Sequence, residues 1–125
     1  MRILICEDDP LQQDWLTCRL SDEGHCVQMT EQGDRALTAW QSGRPWDFVI
    51  TDYLFIPDAK IKNGLDLVRE IRLVDRDQLL ILQTGESDLV LPPYVTLLRK
   101  PYTFQRLVRA MKGMQSIKPF PCSDP

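Results

Sequence analysis

The chain has 125 residues, 43% of them apolar and 26% charged, with a net charge of −3. That is the size and balance of one globular domain able to bury a sizeable core. No apolar run approaches the ~20 residues of a membrane-spanning helix, and the small acidic excess gives no general attraction to nucleic acid or an anionic membrane.

The first residues run Ile3-Leu4-Ile5-Cys6 and then turn acidic. That is too early for a signal peptide, so a cytoplasmic location is expected. Cys6, Cys18, Cys26 and Cys122 show no paired spacing, and His25 is the one histidine. No zinc pattern exists, and reduced, mostly buried thiols are expected.

In chain order, strand and helix alternate. Residues 2–6 read as a strand. Asp9-Pro10-Leu11-Gln12 opens a helix, with Asp9 as cap and Pro10 at the first helical position. Leu11, Trp15 and Cys18 share one face, with Leu16 and Leu20 beside them, and Glu23-Gly24 ends the helix. Residues 25–30 alternate as a second strand. Residues 34–42 form a short helix with Ala36, Leu37, Ala39 and Trp40 inward, stopped by Gly43. Residues 46–52 are an apolar third strand. Residues 53–62 form a loop containing Pro57.

Asn63 or Gly64 starts a helix to about Asp75, with Leu67 or Leu65, Val68, Ile71 and Val74 on its buried side. Residues 79–84 are the fourth strand. Residues 87–93 are too short and too proline-terminated for a full helix. Residues 94–99 are the fifth strand. Thr103 caps a last helix whose stripe is Phe104, Leu107, Val108, Met111 and Met114. Residues 116–125 hold three prolines and no period, and are expected to be a tail or linker stub beyond a domain of residues 1–115. The expected fold is α/β: a three-layer sandwich around a doubly wound parallel sheet in the order 2-1-3-4-5.

The strand ends carry the chemistry. Glu7 and Asp8 follow the first strand, Asp52 ends the third, Thr84 the fourth, and Lys100 follows the fifth. In an open parallel sheet these ends lie along one edge, where ligands bind. Like charges ~4 Å apart repel by ~4 kcal/mol at an effective dielectric of 20. Crowded carboxylates therefore need counter-charge, from Lys100 and from a hard divalent cation such as Mg²⁺. Asp9 is assigned to helix capping. With no histidine or cysteine in reach, Asp52 suits nucleophilic attack on a phosphoryl group, with Thr84 donating to a phosphoryl oxygen. A cis bond before Pro101 would aim Lys100 into the cleft.

These residues resemble the receiver domain of bacterial two-component response regulators. The resemblance rests on Glu7-Asp8-Asp9-Pro10 after the first strand, Asp52-Tyr53-Leu54 at the third, Thr84-Gly85 at the fourth and Lys100-Pro101-Tyr102 at the fifth. It implies that Asp52 is the phosphoacceptor, and that Asp8, Asp52 and the Leu54 carbonyl hold Mg²⁺ directly while Glu7 acts through water. Thr84 would be the switch hydroxyl and Lys100 the phosphate-pairing lysine. The donor would be a phosphohistidine on a sensor histidine kinase or phosphotransfer protein, and the output a switch in binding to an unknown protein target. An enzyme in its own right is not expected, beyond assistance to its own phosphorylation and dephosphorylation. Neither direct nucleic-acid binding nor a membrane partner is expected, and the oligomeric state is left open.

Three departures stand out. Family members place a glycine about eight residues after the phosphoacceptor, whereas Gly64 comes twelve after Asp52. Only fifteen residues separate Thr84 from Lys100, so the family's fourth helix is shortened to a turn or lost. The aromatic switch position three before the lysine is Leu97. The signal is expected to leave through the 53–62 loop or the first helix. The alternative function is an unphosphorylated pseudo-receiver that only binds partners. A phosphatase using an aspartate nucleophile is disfavoured because its second acid would fall on Leu54, and no Gly-rich turn supports a dinucleotide site. The late cluster Arg99, Lys100, Arg106, Arg109 and Lys112 is read as a solvated face.

Overall fold

The computed structural model describes residues 1–55, 57 and 60–117. The elements are β1 (Arg2–Cys6), α1 (Pro10–Asp22), β2 (Cys26–Thr30), α2 (Gly33–Gly43), β3 (Phe48–Asp52), α3 (Gly64–Val74), β4 (Leu79–Thr84), β5 (Val95–Arg99) and α4 (Phe104–Ile117). The five strands are parallel in the order β2-β1-β3-β4-β5. This is the expected flavodoxin-like sandwich, with the switch point between β1 and β3. Residues 118–125 of the expected tail, including Cys122, lie outside the described residues.

Side chains alternate across the sheet and so divide the core into two. Leu4, Cys6, Val49, Leu80 and Leu82 meet α2 and α3 through Ala36, Leu37, Trp40, Leu67, Val68 and Ile71. Ile3, Ile5, Phe48, Ile50, Ile81 and Leu98 meet α1 and α4 through Leu16, Leu20, Phe104, Leu107 and Met111. β3 is buried at all five positions, as befits a central strand covered on both faces.

The caps form as their sequences suggest. Asp9 accepts from the Leu11 N–H at 3.2 Å, Asn63 from the Asp66 N–H at 3.0 Å, and Thr103 from the Arg106 N–H at 3.2 Å. No helix stands between β4 and β5. Leu89, Leu91 and Tyr94 pack against the core there instead.

Several burial expectations are corrected. On α1, Leu16 and Leu20 are the buried residues, while Leu11 is 80% exposed and Cys18 is exposed. The α1 sequence offers two overlapping apolar stripes, and only docking on the sheet selects one. On α3, Val74 is exposed because it follows the last turn that touches the sheet. Of the three described thiols only Cys6 is buried, because Cys26 lies on the edge strand β2 and Cys18 on the outer side of α1.

Candidate functional site

The alternation that builds the core also sorts the charges. Ile3 and Ile5 face the α1 and α4 layer, and Glu7 holds the next position of that register. Asp52 follows Phe48 and Ile50 in the same way, and Lys100 follows Leu98. Opposite charges thus leave one face of the sheet at its carboxyl edge.

Lys100 Nζ lies 3.0 Å from Glu7 Oε1 and 3.1 Å from Asp52 Oδ1. Glu7 is fully buried and Asp52 is 9% exposed. The Asp8 N–H donates to Glu7 Oε2 at 3.1 Å. One carboxylate oxygen from each of Glu7, Asp8 and Asp52 falls within 4.8 Å of the others. Burial, and then the nearness of Asp52, push the Glu7 carboxyl well above the usual carboxylate range, against the pull of Lys100. Burial disfavours the Lys100 ammonium as well, but Asp52 and Glu7 outweigh it and raise its pKa. Three acids against one ammonium leave negative charge uncompensated. Their donors are all oxygen, so the residues fit a hard cation such as Mg²⁺.

Thr84 is buried at the end of β4. Its hydroxyl oxygen accepts from the Glu86 N–H at 3.0 Å, and its carbonyl accepts from the Lys100 N–H at 2.9 Å. The Lys100–Pro101 peptide bond is cis. Leu54 lies two residues beyond Asp52 and is 57% exposed.

The longer loop after Asp52 returns to the site at Gly64. The Gly64 N–H donates to the Tyr53 carbonyl at 2.8 Å. A Cβ on Gly64 would stand 2.2 Å from the Asp52 carbonyl oxygen, so only glycine permits this closure. The extra residues are tied to neighbouring helices. Ile61 is buried against Gly33 at the start of α2, and its N–H donates to Asp34 Oδ1 at 2.9 Å. Phe55 is buried beside it, and Lys60 pairs with Glu70 of α3 at 3.0 Å.

Sequence reasoning missed one polar group near the site. Gln83 is fully buried on β4, where Ile81 and Leu82 precede it. Tyr102 donates its phenolic hydrogen to the Gln83 side-chain oxygen and accepts from Gln12 Nε2 at 3.4 Å. The ring of Trp15 meets Tyr102 edge-on with centroids 5.6 Å apart. A glutamine directly after an apolar run and before the strand-end Thr84 was the available signal. Beside the acids, a cleft of about 580 Å³ is lined by Asp9, Gln12, Trp15, Lys100, Pro101 and Tyr102.

The family described as the response regulator receiver domain matches residues 3–112. The chain belongs to this family. The receiver is 36% identical over 89 residues to the DNA-binding response regulator MtrA of Mycolicibacterium smegmatis, covering 71% of this chain and 36% of MtrA. It spans about a third to a half of the length of the first curated relatives it matches. Among solved structures, a response regulator receiver protein from Sinorhizobium medicae superposes with a TM-score of 0.84 at 24% identity, covering 95% of this receiver and 97% of that chain, which shows the shared fold. TrrA of Thermotoga maritima, in its complex with Mg²⁺ and BeF, aligns with a TM-score of 0.75 at 27% identity over 90% of this receiver and 97% of TrrA. TrrA has also been solved in complex with the histidine kinase ThkA. This receiver is therefore homologous to the response regulators of two-component systems. None of its described helices is long and apolar enough to cross a membrane.

Proposed function

We propose that the receiver accepts a phosphoryl group on Asp52 from a phosphohistidine of a sensor kinase or phosphotransfer protein, and that the aspartyl phosphate switches its binding to a downstream protein. The observation that carries this reading is the convergence of Lys100 on both Glu7 and Asp52, beside the three gathered carboxylates. The likeness to TrrA, which is seen with Mg²⁺ and BeF and with a kinase, supports the assignment of partner and cofactor.

An Asp52 carboxylate oxygen attacks phosphorus in line as the phosphorus–nitrogen bond to the donor histidine breaks, and the departing imidazole takes up a proton. Lys100 orients Asp52 and then pairs with a phosphoryl oxygen. The Thr84 hydroxyl donates to another. Glu7, Asp8, Asp52 and the Leu54 carbonyl would hold Mg²⁺, which when bound neutralises the phosphoryl oxygens. The same groups assist hydrolysis of the aspartyl phosphate. Phosphorylation adds ~−1.5 to −2 charge to a pocket already rich in acids, a large local perturbation. Residues 1–115 act as the receiver and those beyond as tail or linker, in the cytoplasm where the kinase domain resides.

Labelling with acetyl phosphate and Mg²⁺, read by intact-mass spectrometry, tests the assignment. A single phosphoryl adduct is expected for the native chain and none for Asp52→Asn. An adduct of equal yield in the variant would overturn it.

A further inference from the structure

Among the described residues, one buried side-chain polar atom has no hydrogen-bond partner, and it is Gln83 Nε2. This fold can satisfy a buried glutamine where packing alone is at stake. Gln78, just before the same strand, accepts from Trp40 Nε1 at 2.8 Å and donates to the carbonyls of Trp46 and Leu79 at 3.1 and 3.3 Å. Gln83 has no exposure, and only its oxygen is engaged. A buried N–H left unpaired costs free energy in the resting protein, and such an exception calls for a use in another state.

Its place in the sheet points to that use. Asp52 and Gln83 are register partners on β3 and β4. Register partners on neighbouring strands stand on one face, about 4.8 Å apart. Cys6 pairs with Thr51, so Glu7 stands abreast of Asp52 on the other side. Glu7, Asp52 and Gln83 thus make one row across the carboxyl edge. Lys100 Nζ serves the two acids of that row, at 3.0 and 3.1 Å.

The amide is also fixed end for end. The Tyr102 oxygen accepts from Gln12 Nε2 at 3.4 Å, so the one phenolic hydrogen is left for Gln83, and the Gln83 atom that meets it must be the oxygen. Burial raises the pKa of this phenol against the pull of Gln12, and the charges of Glu7 and Asp52 add to the rise, so it stays a donor. The clamp on the oxygen leaves the nitrogen as a spare donor beside the phosphoacceptor.

We propose that Gln83 is a positioning residue for phosphoryl transfer. As Lys100 leaves Asp52 Oδ1 for an incoming phosphoryl oxygen, the Gln83 N–H donates to the Asp52 carboxyl group in its place. This rests on the reading of Asp52 as phosphoacceptor. A carboxyl group that loses its donor in so buried a pocket has little water to turn to. A neutral amide holds Asp52 in line with phosphorus without competing for the phosphoryl charge as a second cation would.

The probe is Mg²⁺ with beryllium fluoride, the pair seen on TrrA. It is read on the native chain by proton–nitrogen correlation spectra of the side-chain amides, with the Gln83 pair assigned through its own backbone. One Gln83 amide proton should move downfield of its position with Mg²⁺ alone and exchange more slowly with solvent. The second arm is the rate of labelling by acetyl phosphate, which gives its phosphoryl group to Asp52 and departs as acetate. In Gln83→Leu/Tyr102→Phe, which removes the polar pair together, the maximal rate should fall at least about threefold with the half-saturating concentration unchanged. Gln83 protons that stay in place while the fluorine spectrum shows bound beryllium fluoride overturn the proposal and leave the Asp52 reading standing. A folded double variant labelled at the native rate does the same. A native chain that neither binds beryllium fluoride nor takes up a phosphoryl group overturns both.

Discussion

Tyr102 donates its phenolic hydrogen to the side-chain oxygen of Gln83, a residue with no exposure to solvent. The bond ties the segment that carries Lys100 to the strand that carries Thr84. The Gln83 side-chain nitrogen has no partner, so the phenol is the group that makes this buried amide tolerable.

Removal of that phenol should therefore be costly, and removal of both partners should not. Tyr102→Phe is expected to destabilise the receiver by about 1–3 kcal/mol, because a buried oxygen is left unpaired. Combining it with Gln83→Leu should recover most of the loss, since two apolar groups replace a polar pair. Urea midpoints of the two single variants and the double variant measure this. A double variant as unstable as the sum of the singles would show that the pair is not what ties the segment.

Gly64 and Gly113 should respond in opposite ways to alanine. At Gly64 the added Cβ meets the Asp52 carbonyl oxygen at 2.2 Å, so β3 or the start of α3 must move. A loss of about 1–3 kcal/mol is expected, with slower labelling by acetyl phosphate. At Gly113, inside α4, nothing lies within 4 Å of the new Cβ. Alanine there should stabilise by about 0.5–1 kcal/mol through helix propensity and a less flexible unfolded chain. Thermal melts and labelling rates check both.

Lys100→Met keeps the side-chain volume and removes the ammonium that faces Glu7 and Asp52. Mg²⁺ affinity should rise severalfold, because a like charge leaves the neighbourhood of the cation. Phosphoryl labelling should fall by at least about tenfold, because no ammonium then pairs with a transferred oxygen. Calorimetric titration of Mg²⁺ and mass-spectrometric labelling separate the two effects. Parallel loss of both would indicate collapse of the pocket instead.

Thiol reactivity should follow burial. Burial pushes the Cys6 thiol up to about 12, and Asp52 and Glu7 add to the rise. In a Cys122→Ser background, Ellman's reagent should titrate two thiols in the native protein, the exposed Cys18 and Cys26. A third should appear only in denaturant. Three fast thiols in the native state would contradict the buried β1.

Much of this protein was legible in its residue order. Strand and helix periods, the caps at Asp9 and Thr103, a helix start at Asn63 or Gly64, and the parallel order all follow from local rules of patterning and handedness. So does the meeting of Glu7, Asp8, Asp52 and Lys100, because ends of parallel strands must share an edge. What the order of residues could not decide depended on docking. Both Leu11 and Leu16 suit a helical stripe, and only the placement of α1 on the sheet buries one and exposes the other. Gln83 and Tyr102 are nineteen residues apart in the chain, and no local pattern announces that a phenol from one segment will satisfy an amide in another. Periodicity constrains each element by itself, whereas the partner of a buried polar atom is set by the register and approach of elements distant in sequence, which exist only once the layers have closed.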